Sequence, residues 1–118
     1  MKVLTLKPDK ANQVASGEKL VENRSWGAGC KNLVGSRIGI HRGGKGGAII
    51  ATAIVKEIIS VDEARRRLKT GGIPKSQKQH VWGPLCWILE SVRRIKPVMC
   101  PGHLSLWNVS DELIVEEN

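Results

Sequence analysis

Apolar and polar residues change rhythm several times along this chain, and each rhythm predicts an element. Val3, Leu4 and Leu6 sit together and predict a short strand over residues 3–6. Pro8-Asp9 opens a helix, with proline early and an acid in the first turn, where the helix dipole favours negative charge. Ala11, Val14 and Ala15 recur at i, i+3 and i+4, and Gly17 supplies the stop. Residues 20–26 read as extended. Leu20, Glu22, Arg24 and Trp26 then share one face, and Val21, Asn23 and Ser25 the other. Lys19 lies in the turn beside Gly17, where that parity does not bind it.

Ile38 and Ile40 alternate within residues 36–41, a second clear strand. A glycine-rich turn, residues 43–47, leads into residues 48–59, a long strand rich in Ile, Val and Thr. Ser60 and Glu63 have the spacing of a capping box and start a second helix that Thr70-Gly71-Gly72 ends. Residues 73–80 read as a polar loop holding Lys75 and Lys78. Residues 81–95 contain the apolar strand Leu85-Cys86-Trp87-Ile88-Leu89, and residues 104–109 form a last strand. The order β-α-β-β-β-α-β-β, with mostly short strand-to-strand loops, favours hairpins over parallel crossovers. The expected fold class is α+β: a small mixed or antiparallel β-barrel with two flanking helices. One domain is expected over residues 1–110, followed by an acidic C-terminal tail, 111–118.

Composition sharpens this picture. The chain has 118 residues and 41% apolar content, enough for a hydrophobic core without disulfide staples. It has four Trp but no Phe or Tyr, so Ile, Val, Leu and Ala must build most of that core. The net charge of +8 points to a polyanionic partner such as nucleic acid or free nucleotide. Three cysteines without tight spacing do not make a disulfide framework. No apolar run is long enough to span a membrane, and residues 1–10 lack the apolar core of a signal peptide, so a cytoplasmic location is expected.

The basic residues cluster. Arg65, Arg66, Arg67 and Lys69 fan around the second helix, and Arg93, Arg94 and Lys96 stand near a strand end. Together they are candidates for a basic groove that grips phosphates without reading sequence. Trp26 and Trp82 lie beside glycine-containing loops, where a flat ring either stacks on a nucleobase or anchors a loop over the core edge. Gly39 to Lys45 fits G-x-x-x-x-G-K, but Gly46 replaces the hydroxyl residue and a strand follows instead of a helix. A nucleotide phosphate loop is therefore not expected, although Arg42 and Lys45 can still meet phosphates from that turn. Cys100-Pro101-Gly102-His103 is half of a zinc knuckle without its second half, so no metal and no cofactor are expected.

Taken together, Gly17-x-Lys19-x-x-Glu22-x-Arg24-x-Trp26, then residues 34–41, then Gly83-Pro84-Leu85-Cys86-Trp87-Ile88-Leu89, and Pro97-Val98 through Gly102 to Leu106-Trp107 resemble the ASCH domain family. These pieces occur in the family's order and cover nearly the whole chain. The resemblance implies the small β-barrel of the PUA-like superfamily. It also implies a cleft faced by Lys19, Glu22 and Arg24. It further implies binding of RNA, with single strands favoured, or of a nucleoside or nucleotide-like ligand. Some members are small enzymes. One group hydrolyses acylated cytidines through a lysine, a threonine three residues later and a distant glutamate, and another is associated with RNA cleavage. Lys19 matches that lysine, but Glu22 stands where the threonine would be, and Glu57 is a loose match for the distant glutamate. Lys7-Pro8-Asp9 replaces a Gln-Pro-Trp-like start found in many relatives, which removes one stacking aromatic. The expected function is thus binding of RNA or a nucleotide-like ligand through Lys19, Glu22, Arg24, Trp26, Arg42, Lys45 and Trp82. The alternative is a small ribonuclease or nucleoside amidohydrolase with Lys19 and Glu22 catalytic. A protein partner for the basic face is the third reading.

Overall fold

A computed structural model describes residues 1–27, 29–30 and 32–117. Its elements are β1 (Lys2–Leu6), α1 (Pro8–Ala15), β2 (Val21–Arg24), β3 (Arg37–Arg42), β4 (Ala48–Ser60), α2 (Val61–Thr70), a 3-10 segment (Lys75–His80), β5 (Leu85–Met99), β6 (Leu106–Asn108) and a short 3-10 turn (Asp111–Leu113). The strands hydrogen-bond in the order β2-β5-β4-β3-β1-β6, as a mixed sheet accompanied by two main helices. The chain divides into two compact units, and the long strands β4 and β5 contribute to both.

The first unit comprises Met1–Glu18, Arg37–Ile54 and Ser91–Asn118. Here β1 pairs parallel with β3 and antiparallel with β6, and β3 pairs antiparallel with β4. Val3, Ile49 and Ile95 are fully buried, with Val98, Trp107, Val109 and Ile114 packed against them. The first helix buries Ala11, Val14 and Ala15, the face its spacing predicts. Gly17 follows at φ +83°, a conformation that costs glycine little and other residues more.

The second unit comprises Lys19–Ser36 and Val55–Glu90. Antiparallel pairing of β2 with β5 sets Glu22 opposite Trp87 and Asn23 opposite Cys86. Val21, Ala64, Ile73, Val81 and Cys86 form its apolar centre, with Ile59, Val61, Leu68 and Ile88 packed on it. Burial pushes the Cys86 thiol up, which suits an inert core residue. The predicted capping box is in place: Ser60 Oγ accepts from the Glu63 N–H at 3.1 Å, and Gly71 closes α2 in the left-handed conformation.

Several boundaries differ from the sequence expectation: β2 spans only Val21–Arg24 and β6 only Leu106–Asn108. The last long strand runs on to Met99, well past residue 95. The polar stretch 73–80, expected as a loop, coils as 3-10 helix over Lys75–His80. Side chains three apart eclipse in such a segment. Gln77 and His80 therefore point inward together and are buried, while Lys75 and Lys78 are exposed. Polarity alone hides this three-residue period.

Candidate nucleic-acid interface

The second unit gathers most of the predicted site residues. They are organised on β2, an edge strand of the sheet, whose alternating side chains divide the work. On one side Glu22 takes Arg24 through both Nε (3.1 Å) and Nη2 (2.8 Å), and Lys19 Nζ lies 3.5 Å from Glu22 Oε1. Lys19 also donates to the Val21 carbonyl and is only 2% exposed. The turn after Gly17 thus swings Lys19 to the Glu22 side, which strand parity could not have assigned. An ammonium this deeply buried demands such partners, because an unpaired buried charge is costly.

On the other side of β2, Asn23 acts as a clamp. Its Nδ2 donates to the His80 carbonyl at 2.8 Å. Its Oδ1 accepts from the backbone N–H groups of Trp82 (3.1 Å) and Gly83 (2.9 Å). Immediately before β2, the Leu20 N–H donates to Gln77 Oε1 at 2.8 Å. Both ends of the segment 77–83 are therefore tied to β2. Gly83 is required here: at φ +68°, an added Cβ would stand 2.5 Å from Val61 Cβ. Asn23→Ala leaves three backbone groups without their partner. We expect a loss of about 2–4 kcal/mol, since each stranded buried group costs about 1–3 kcal/mol. Hydrogen exchange checks this locally: the Trp82 and Gly83 amides should exchange much faster than in the wild type.

The second helix forms the facing wall. Arg65, Leu68 and Lys69 recur at i, i+3 and i+4 and so share a face. Together with Lys75, Lys78 and Val81 they line a cleft of about 730 Å³. Among the described residues no carboxylate lines it. Lys69, Lys75 and Lys78 have no ion-pair partner among the described residues, and Arg65 reaches Asp62 only at 3.8 Å between two exposed side chains. Trp82, adjoining the cleft residue Val81, is 64% exposed.

The other arginines of α2 are engaged. Arg66 is held by Glu63. Arg67 binds Glu57 at 2.6 and 3.3 Å and Glu63 at 3.1 Å. These hydrogen bonds, from Arg66 first and then Arg67, hold the Glu63 carboxyl down at about 2. They also push Arg66 and Arg67 up and lower Glu57. Glu57 is thus tied to the helix through Arg67. Trp26 packs edge-on against the buried Trp87 with ring centroids 5.2 Å apart, and its carbonyl accepts from Trp87 Nε1 at 3.1 Å.

Arg42, Lys45, Arg93 and Arg94 belong to the first unit. Lys45 is exposed in the glycine turn after β3, and Arg42 is half-buried at the strand end. Arg93 pairs with Glu116 at 2.9 Å. Among the described residues no three or more His, Cys, Asp and Glu gather as metal ligands, and no helix is long and apolar enough to cross a membrane. Sequence reading missed Asn23, and it left Lys75 and Lys78 out of the site, while Lys69 belongs to the basic group expected on the second helix. The signal for the two missed lysines was present in the i, i+3 spacing of Lys75 and Lys78.

No protein-family model matches this chain, and no curated protein matches it. Solved structures do. The ASCH protein of Zymomonas mobilis superposes with a TM-score of 0.67 at 19% identity, over 95% of this chain and 89% of that one. Two single-residue variants of the same protein give TM-scores of 0.64 and 0.66, also at 19% identity, over 95% of this chain and 89% and 91% of theirs. At that identity the likeness is one of fold: this chain has the small mixed α+β fold of the Zymomonas mobilis ASCH structure.

Proposed function

We propose that this chain binds single-stranded RNA, or a nucleotide-like fragment of it, in the cleft between α2 and the 3-10 segment. The observation that carries the reading is the lining: among the described residues, four cations, no carboxylate, and an apolar floor of Leu68 and Val81. Phosphates are drawn to the rims, while the floor accepts the face of a ring. Trp82 is the stacking platform, because its ring is open to solvent while its backbone is pinned by Asn23. Such a ring on a fixed backbone accepts any base, which suits sequence-tolerant binding. Arg42, Lys45, Arg93 and Arg94 are basic residues of the first unit, where they are offered as phosphate contacts of that unit. Lys19, Glu22 and Arg24 support the cleft from β2, and their mutual pairing favours a positioning role over a catalytic one. Burial of Lys19 and its contacts with Glu22 and the Val21 carbonyl weigh against the hydrolase alternative.

Trp82→Ala tests the stacking role. Loss of one base–aromatic contact is worth about 1–3 kcal/mol, so the dissociation constant for single-stranded RNA should rise about 5- to 150-fold. An exposed side chain contributes little to folding, so the melting temperature should hardly move. Unchanged RNA affinity in Trp82→Ala would remove Trp82 from the site.

A further inference from the structure

The C-terminal acidic stretch lies along β5 of the first unit, joined to it by an isolated antiparallel bridge. The Lys96 N–H donates to the Val115 carbonyl at 2.8 Å, and the Glu117 N–H to the Arg94 carbonyl at 3.1 Å. Glu116 makes an antiparallel bridge with Ile95 and sends its carboxylate to Arg93 Nη1 at 2.9 Å. A second guanidinium is fixed nearby. Arg37 Nη1 donates to the Ser91 carbonyl at 2.8 Å and to Thr52 Oγ1 at 2.9 Å, which places it two residues from Arg93 along β5. Burial and then the charge of Arg93 push Arg37 down, and Glu116 pushes it back up. Two guanidiniums and one carboxylate therefore share one electrostatic neighbourhood.

We infer that Arg37 and Arg93 form a binding site for a phosphate group of a polyanion, and that Glu116 occupies this site in cis. Arg37 is held by two neutral acceptors that leave its remaining N–H groups for an anion, as Arg donors in a fixed fork allow. The carboxylate of Glu116 supplies the negative charge that a phosphate would bring. Its hold is light: Arg93 and Glu116 are 55% and 57% exposed, and an ion pair in that setting is weak. A phosphate with more charge and more acceptor oxygens can displace it. The tail is then a competitor that raises the threshold for polyanion binding at this face. Where the polyanion is RNA, this inference rests on the proposed function and adds its regulation.

The test is Glu116→Gln, measured by fluorescence anisotropy with end-labelled single-stranded RNA across a salt series. Freed of the competing carboxylate, the variant should bind several-fold tighter at low salt. Its salt slope should steepen by about 0.7, the value for one added phosphate contact on a single strand. In an Arg93→Ala background the same substitution should change neither quantity. A second readout does not depend on RNA. The side-chain Nε signals of Arg37 and Arg93 are followed by nitrogen-15 NMR during titration with inorganic tripolyphosphate. They should shift and saturate at lower concentration in Glu116→Gln than in the wild type. If RNA binds nowhere but these signals still respond, the phosphate site stands and the RNA reading falls. If Glu116→Gln changes neither RNA affinity nor tripolyphosphate response, or changes both equally without Arg93, the inference is overturned.

Discussion

Glu22→Ala should lower the melting temperature by about 10–20 °C. The carboxylate is met by Arg24 at 2.8 Å and by Lys19 at 3.5 Å, and the Glu22 and Lys19 side chains are 10% and 2% exposed. Removing one partner from such a buried pair costs about 3–5 kcal/mol, because the remaining charge keeps its desolvation cost and loses its compensation. In a domain of this size each kcal/mol moves the midpoint by about 3–5 °C. The companion variant separates charge from shape. Lys19→Met with Glu22→Leu removes the buried charges together, and apolar replacement of a buried pair is often neutral or stabilising. It should recover much of the loss, while Arg24, a quarter exposed, turns to water. Thermal melts followed by circular dichroism check both. A Glu22→Ala midpoint within about 2 °C of wild type would mean that the trio carries no buried electrostatic cost.

Reversing two charges of the cleft, Lys69→Glu with Lys75→Glu, should weaken binding of single-stranded RNA on the order of 100-fold at low salt. The two lysines come from different walls of the cleft, one from α2 and one from the 3-10 segment. Both are exposed, so folding should survive the change. Each phosphate contact on a single strand contributes about 0.7 to the slope of log affinity against log salt, so the slope should fall by about 1.4. The control is Arg66→Glu. Its guanidinium already belongs to Glu63 and is absent from the cleft lining, so its effect should be the smaller one. Equal losses in the two variants would point to the overall field of the protein and away from the cleft.

The sequence made the scaffold readable where local chemistry and global fold agree. The face of α1, the Gly17 stop, the Ser60–Glu63 cap and the long β4 all follow from short-range pattern. Pairing across the chain was not readable in the same way. Glu63 stands three and four residues before Arg66 and Arg67, so their engagement was legible from spacing, but the hold of Glu57 on Arg67 needs the packed structure. Strand parity places Asn23 only on the face opposite Glu22, because nothing local shows that residues 80–83 return to it. Trp26 and Trp82 were equivalent in sequence, each beside a glycine loop. Only packing separates a ring set against Trp87 from one left open to solvent. The stretch 75–80 was hidden because a polar 3-10 segment and a polar loop have the same composition.

The central claim is that this ASCH fold carries a phosphate-gripping cleft, and one titration tests it most directly. Fluorescence anisotropy of an end-labelled single-stranded RNA is recorded with the wild-type protein at a series of salt concentrations, beside Lys69→Glu with Lys75→Glu. The account predicts saturable binding by the wild type, with affinity that falls linearly in log salt, and a shallower line displaced to weaker binding in the variant. No binding by the wild type, or an affinity that ignores both salt and the two substitutions, would contradict it.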